Sequence, residues 1–115
     1  MKSHFLCALL TTVICSNVAA FDPLRDSAGK ILRSRAAVAK FKSHNACPIT
    51  GRRVGACVGY VVDHKQPLCA DGVDAPENMQ WQTIDLSRKK DRIEIALCSG
   101  RISQGAYNAA VARIR

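Results

Sequence analysis

The chain has no apolar run long enough to cross a bilayer. Its most apolar stretch, Phe5 to Cys15, carries no charge but covers only eleven residues, about half of what a spanning helix needs. No two of its six cysteines stand as CxxC, the spacing that a four-cysteine zinc site usually shows twice. Acidic side chains are scarce, nine against seventeen basic ones, and the 115 residues include three histidines. There is no internal repeat and no low-complexity tract. These absences exclude a helical membrane span, a repeat array and a multidomain enzyme.

What is there begins with an export signal. Met1-Lys2-Ser3-His4 is a short basic start, the run to Cys15 is its apolar centre, and Val18-Ala19-Ala20 supplies small residues where a signal peptidase cuts. Val13-Ile14 before Cys15 lacks the small residues of a lipoprotein signal, so cleavage is expected after Ala20, with no lipid anchor. The other reading of this stretch is a buried N-terminal helix. Residues 1–20 are thus read as a signal peptide and 21–115 as one secreted or periplasmic domain of about 95 residues, near the lower limit for an unaided core. Cys7 and Cys15 leave with the signal, and Cys47, Cys57, Cys69 and Cys98 remain. An even count in an exported chain argues for two disulfides. Three pairings are open; Cys47–Cys57 with Cys69–Cys98 is preferred, because a local turn can close the first. Zinc on these four cysteines is the alternative. Losing Lys2 leaves sixteen basic and nine acidic side chains, a balance of +7. Such a surface suits a polyanion, whether nucleic acid, anionic lipid or an acidic wall polymer, and charge alone does not choose between them; it also serves plain solubility.

The spacing predicts a helix from Asp26 or Ser27 to about Ser43, with Ile31, Leu32, Val38 and Phe41 on one side and Lys30, Arg33, Arg35, Lys40 and Lys42 around the rest. That basic side is either a solvated face or a phosphate-contacting ridge. His44-Asn45 ends the helix, and Pro48 and Gly51 mark a turn. Val54 to Asp63, "VGACVGYVVD", reads as a strand or hairpin. Lys65 to Asn78, with Pro67, Gly72 and Pro76, is a loop. Thr83 or Asp85 caps a second helix that stops at Ser99-Gly100, with Leu86, Ile93 and Leu97 inward. A last helix runs from about Ser103 to Ile114, packing Ala109, Ala110 and Ile114.

The centre of the chain reads "VVDHKQPLCADGVDAPENMQWQT" from Val61 to Thr83. Neighbours on a strand point to opposite faces, so Asp63 and His64 can serve one site only at the strand's end. Asp63 can offer an oxygen to a hard cation, and a neutral imidazole at His64 can take a proton from water. This order of strand, Asp-His, loop, Asn and helix resembles the HNH nucleases. Asp63, His64, Pro67, Leu68, Gly72, Asp74, Asn78, Met79 and Gln80 carry the likeness, and "CPITG", "GYVVDH" and "NMQWQT" look like one branch of small HNH proteins. The resemblance spans roughly Arg33 to Glu94. It implies an α+β fold, a ββα-metal finger with flanking N- and C-terminal helices, here stapled by disulfides. It also implies His64 as general base on a single-metal phosphodiesterase, with Asn78 bracing the loop that holds it.

The departure from the family lies in the second helix. Its third signature residue, nine positions after the Asn, is Ser87 here, and the position four further along is Asp91. Positions i and i+4 share a helix face, so Asp63 and Asp91 are expected to hold the ion, with Ser87 or water completing the shell. Two carboxylates favour Mg²⁺ or Mn²⁺, with Zn²⁺ or Ni²⁺ as other options; the rival reading pairs Asp91 with Arg88 or Arg92. Lys90, Arg88 and Lys89 are the expected phosphate contacts, against the alternative of a solvated basic face. Trp81 is read as core, His44 as a helix end, and Asp71, where the family has a glycine, as a left-handed turn residue. The expectation is a monomeric, metal-dependent endonuclease, DNA more than RNA, with no residue pointing to an inhibitor protein. Its rivals are a degenerate nucleic-acid-binding protein of the same fold and a non-enzymatic binder of acidic surfaces.

Overall fold

The computed structural model describes residues 23–115; the signal-peptide expectation lies outside them. The fold is small and α+β: helix α1 (Arg35–His44), strand β1 (Tyr60–His64), strand β2 (Met79–Thr83), helix α2 (Ile84–Cys98) and helix α3 (Gln104–Ile114). The strands form a two-stranded antiparallel sheet, with Asp63 opposite Gln80 and His64 opposite Met79.

The first helix starts later than its apolar spacing predicts. Asp26 does not cap a helix; its Oδ1 accepts from the amides of Ala28 and Lys30, both at 2.9 Å, closing a turn through Gly29 at φ 77°. An antiparallel bridge joins Arg25 to Ile31 across that turn. The true cap is Ser34, whose hydroxyl accepts from Ala37 N at 3.1 Å, so Ile31 and Leu32 never join the helix face. The side-chain competition that makes Asp favour turns decided between two plausible starts. The strand, too, is shorter than the "VGACVGYVVD" pattern: Gly55 and Gly59 sit at φ 77° and 79°, leaving only Tyr60 to His64 extended. The later helices start on Thr83, one of the two caps the sequence offered, and on Ser103, whose hydroxyls accept from Leu86 N and Ala106 N.

The fully buried apolar side chains are few among the described residues: Phe41, Leu68, Met79, Tyr107 and Val111, with Cys47 and Cys57. Covalent staples make up for the thin core. The disulfides are Cys47–Cys57 and Cys69–Cys98, the preferred pairing. By loop entropy the second, closing the longer loop, is worth roughly 3–4 kcal/mol. Trp81 joins β2 to α1: its indole N–H donates to the Asn45 carbonyl at 3.0 Å, and its ring meets Phe41 edge to face at 5.7 Å. Of the last helix, Tyr107 and Val111 are the buried residues, while Ala109 is exposed.

Candidate functional site

The 65–78 connection is built to hold the end of β1 still. Lys65 N donates to the Asn78 carbonyl at 2.7 Å, and the Asn78 side chain does the rest. Its Oδ1 accepts from Gln66 N at 3.0 Å, while its Nδ2 donates to the carbonyls of Gln66 and Val73, both at 2.9 Å. From the far side, Tyr107 of α3 donates its hydroxyl to the Lys65 carbonyl at 3.1 Å. The loop turns on Asp71, at φ 63°, and on Gly72, whose amide donates to the Pro67 carbonyl at 2.9 Å. Asp71 thus adopts the left-handed geometry that its position calls for.

His64 stands at the end of this frame, 4% exposed. Its Nε2 lies 2.9 Å from Asp74 Oδ1, and the other oxygen of Asp74 accepts from Ser34 N, the cap residue of α1, at 2.6 Å. A carboxylate only accepts, so Nε2 carries the proton and Nδ1 presents a lone pair. Nδ1 has no hydrogen-bond partner among the described residues, and it is not one of the sealed-off polar side-chain atoms, whose orphan is Gln82 Oε1 on β2, away from this cleft. A cleft of about 70 Å³ is lined by His64, Asp63 and Glu94 together with Arg33, Pro67 and Leu68.

Asp63 has a different neighbour from the one expected. Its Oδ2 accepts from Gln80 Nε2 at 3.2 Å and lies 2.9 Å from Lys90 Nζ. Lys90 is fully buried, 0% exposed, and spends all three N–H donors inside the protein: on Asp63, on the His64 carbonyl at 2.7 Å, and on Glu94 one helical turn away. The sequence expectation that Lys90 reaches phosphate is therefore corrected, because a side chain this enclosed cannot touch a ligand. Arg88 and Lys89 do lie on the exposed face, where Lys89 pairs with Asp85 at 2.7 Å.

The α2 face turned toward Asp63 carries Lys90 and Glu94, with half-buried Ser87 one turn before. Asp91 follows Lys90 by one residue, about 100° further around the helix, and it is exposed. Neither Asp91 nor Ser87 makes a hydrogen bond or ion pair with Asp63, whose side-chain partners are Gln80 and Lys90. Among the described residues no group of three or more His, Cys, Asp or Glu side chains is placed to hold a metal ion. As placed, the residues do not fit a divalent cation, because an ammonium already fills the angle between the two carboxylates that converge.

The electrostatics follow from one cation shared by two acids. Burial pulls Lys90 down, but hydrogen bonds to Glu94 and Asp63 and the charges of both outweigh it, holding the ammonium above its ordinary 10.5. Burial above all pushes the Glu94 carboxyl up from 4.5, against the pull of Lys90 and aided by the charges of Asp63 and Asp91. The two shifts run upward for different reasons: Lys90 because two acids share its one charge, Glu94 chiefly because it is buried.

Three residues of this site had no role in the sequence reading. Asp74 stood inside the quoted pattern without a partner, and only the fold brings it to His64. Arg33 looked like helix decoration because the helix was started too early. Glu94 was legible: it lies four residues after Lys90, the spacing of a helical ion pair. Compared with known proteins, the chain matches no family model, no curated protein and no solved structure.

Proposed function

We propose that this chain hydrolyses phosphodiester bonds in nucleic acid, DNA sooner than RNA, as an HNH-like enzyme exported to the periplasm or the medium. The observation that carries the reading is the His64–Asp74 pair at a cleft, with Nδ1 left as acceptor. Its support includes the order β1, β2, α2, the Asn78-braced loop between the strands, and the basic balance of the chain. Two disulfides fit an oxidising compartment.

In this reading water enters the cleft beside His64 and attacks phosphorus. Nδ1 takes its proton as the phosphorus–oxygen ester bond breaks and the leaving oxygen picks up a proton from solvent, while Asp74 holds the ring in place and stabilises the imidazolium that forms. Arg33, exposed at the mouth, offers a guanidinium to the phosphate oxygens. Exposed Arg88 and Lys89 steer the polyanion, each true phosphate contact adding about one unit to the log-log salt slope of binding.

The test is plasmid and RNA cleavage by oxidised protein, with and without divalent ions, for wild type, His64→Ala and Asp74→Asn. His64→Ala should lose activity by 10²-fold or more, and Asp74→Asn by roughly 10–100-fold. Equal cleavage by wild type and His64→Ala would remove the assignment. The second reading, a binding protein of the same fold, is favoured by the depth of His64; it requires steep salt-dependent binding with an intact plasmid.

A further inference from the structure

The site holds two carboxylates that meet one side chain, and that side chain is a cation. Asp63 comes from the end of β1 and Glu94 from the third turn of α2, and both oxygens close on Lys90 Nζ. A backbone carbonyl, that of His64, completes the set at 2.7 Å. Two acidic oxygens and a peptide oxygen around one positive centre is also the donor chemistry of a hard divalent ion. Lys90 differs from an ion in being tethered, in bringing three directed N–H groups, and in never leaving.

We infer that the Lys90 ammonium is the resident cation of this site: it stands where a divalent ion would stand between Asp63 and Glu94, so the protein takes no divalent ion there. Lys90 touches neither solvent nor cleft, so it is a positioning residue, fixing the end of β1 through the His64 carbonyl. The inference deepens the nuclease reading above, but it is read out by ion binding and stability, which do not depend on cleavage.

Removing the ammonium uncovers the donor set. In Lys90→Ala the side chain is shortened to a methyl, leaving Asp63, Glu94 and the His64 carbonyl facing a vacated space. Lys90→Gln, which keeps most of the length and loses the charge, is the second variant should alanine fold poorly. Mn²⁺ is the probe. Binding is followed by the loss of free-ion EPR signal, and Tm is measured in EDTA and in millimolar Mn²⁺.

For wild type, Tm should be the same in EDTA and Mn²⁺, with no bound ion that Asp63→Asn abolishes. A Lys90 variant should melt on the order of 10 °C or more lower in EDTA and recover part of that loss in Mn²⁺. Adding Glu94→Gln to that variant should abolish the recovery. Mn²⁺ bound by wild type and lost in Asp63→Asn overturns the inference. So does a pair of Lys90 variants that Mn²⁺ neither binds nor stabilises, folded or not. The two readings fail separately. Mn²⁺ held by wild type through Asp63 sinks the resident cation while His64 keeps its role; the Mn²⁺ pattern without any cleavage sinks the nuclease and leaves the cation.

Discussion

At Gly72 a single hydrogen decides whether the 65–78 loop can close. A Cβ built there falls 2.1 Å from the Gln66 carbonyl oxygen and 2.6 Å from that of Pro67, and both obstacles are backbone that cannot swing aside. Gly72→Ala should therefore cost about 3 kcal/mol or more, seen as a lower midpoint in urea unfolding. The neighbouring Asp71 has the left-handed φ but no such crowding, so Asp71→Gly should be neutral or stabilise by up to about 1 kcal/mol in the same assay. These two positions were legible in the sequence, since a Gly and an Asp between Pro67 and Asn78 mark a tight reversal. Lys90 was not. A lysine amid Arg88, Lys89 and Arg92 reads as one more surface charge, and nothing local says that this one turns inward. Only the register of α2 against β1 decides it, by placing Asp63 opposite.

Among the elements, α2 does the most to assemble the site; its stop was read from the sequence, and its start was narrowed to Thr83 or Asp85. Thr83 before Ile84 and Ser99-Gly100 after Cys98 are local signals with local causes. The inward face was read less well, because Leu86, Ile93 and Leu97 are half-buried while Lys90 is the residue wholly enclosed. Apolar periodicity finds the side of a helix that packs, but it cannot see a charge that packs with it. The start of α1 failed for a related reason: Asp26 and Ser34 are both competent caps, and the Gly29 turn chose between them. The Cys69–Cys98 bond anchors the end of α2 to the short turn at Leu68–Ala70, beside the cleft. Cys69→Ala with Cys98→Ala should lower stability by about 2–4 kcal/mol. It should also raise amide exchange in residues 66–72 more than in α1, which hydrogen exchange with mass spectrometry would resolve.

For the molecule as a whole, stability should decline in alkali for an identifiable reason. Lys90 is held above 10.5, chiefly by its carboxylate partners once burial has been offset, and burial pushes the Tyr107 hydroxyl above 10.0. A group with a raised folded pKa binds its proton more tightly in the native chain. Its contribution is complete below the unfolded value and is lost as pH climbs through the folded one. Both groups have this sign, so unfolding free energy should fall as pH rises above about 10, and Tyr107→Phe should flatten part of that fall in urea titrations across the range. The α+β class and the two disulfides were within reach of the sequence, because caps, turn residues and cysteine parity act locally, whereas β2 was not read from its own residues. The wiring of the acids was not, because Asp74 to His64 and Asp63 to Lys90 are contacts made by the assembled fold.

Asp74 divides its two oxygens between the His64 ring and the amide of Ser34, forty residues upstream. The first turn of α1 is thereby a latch on the imidazole. Whatever tugs at the segment ahead of that turn, where Arg33 lines the cleft, is felt at the ring; under the proposed hydrolysis, seating a phosphate and aligning the base would be a single mechanical event.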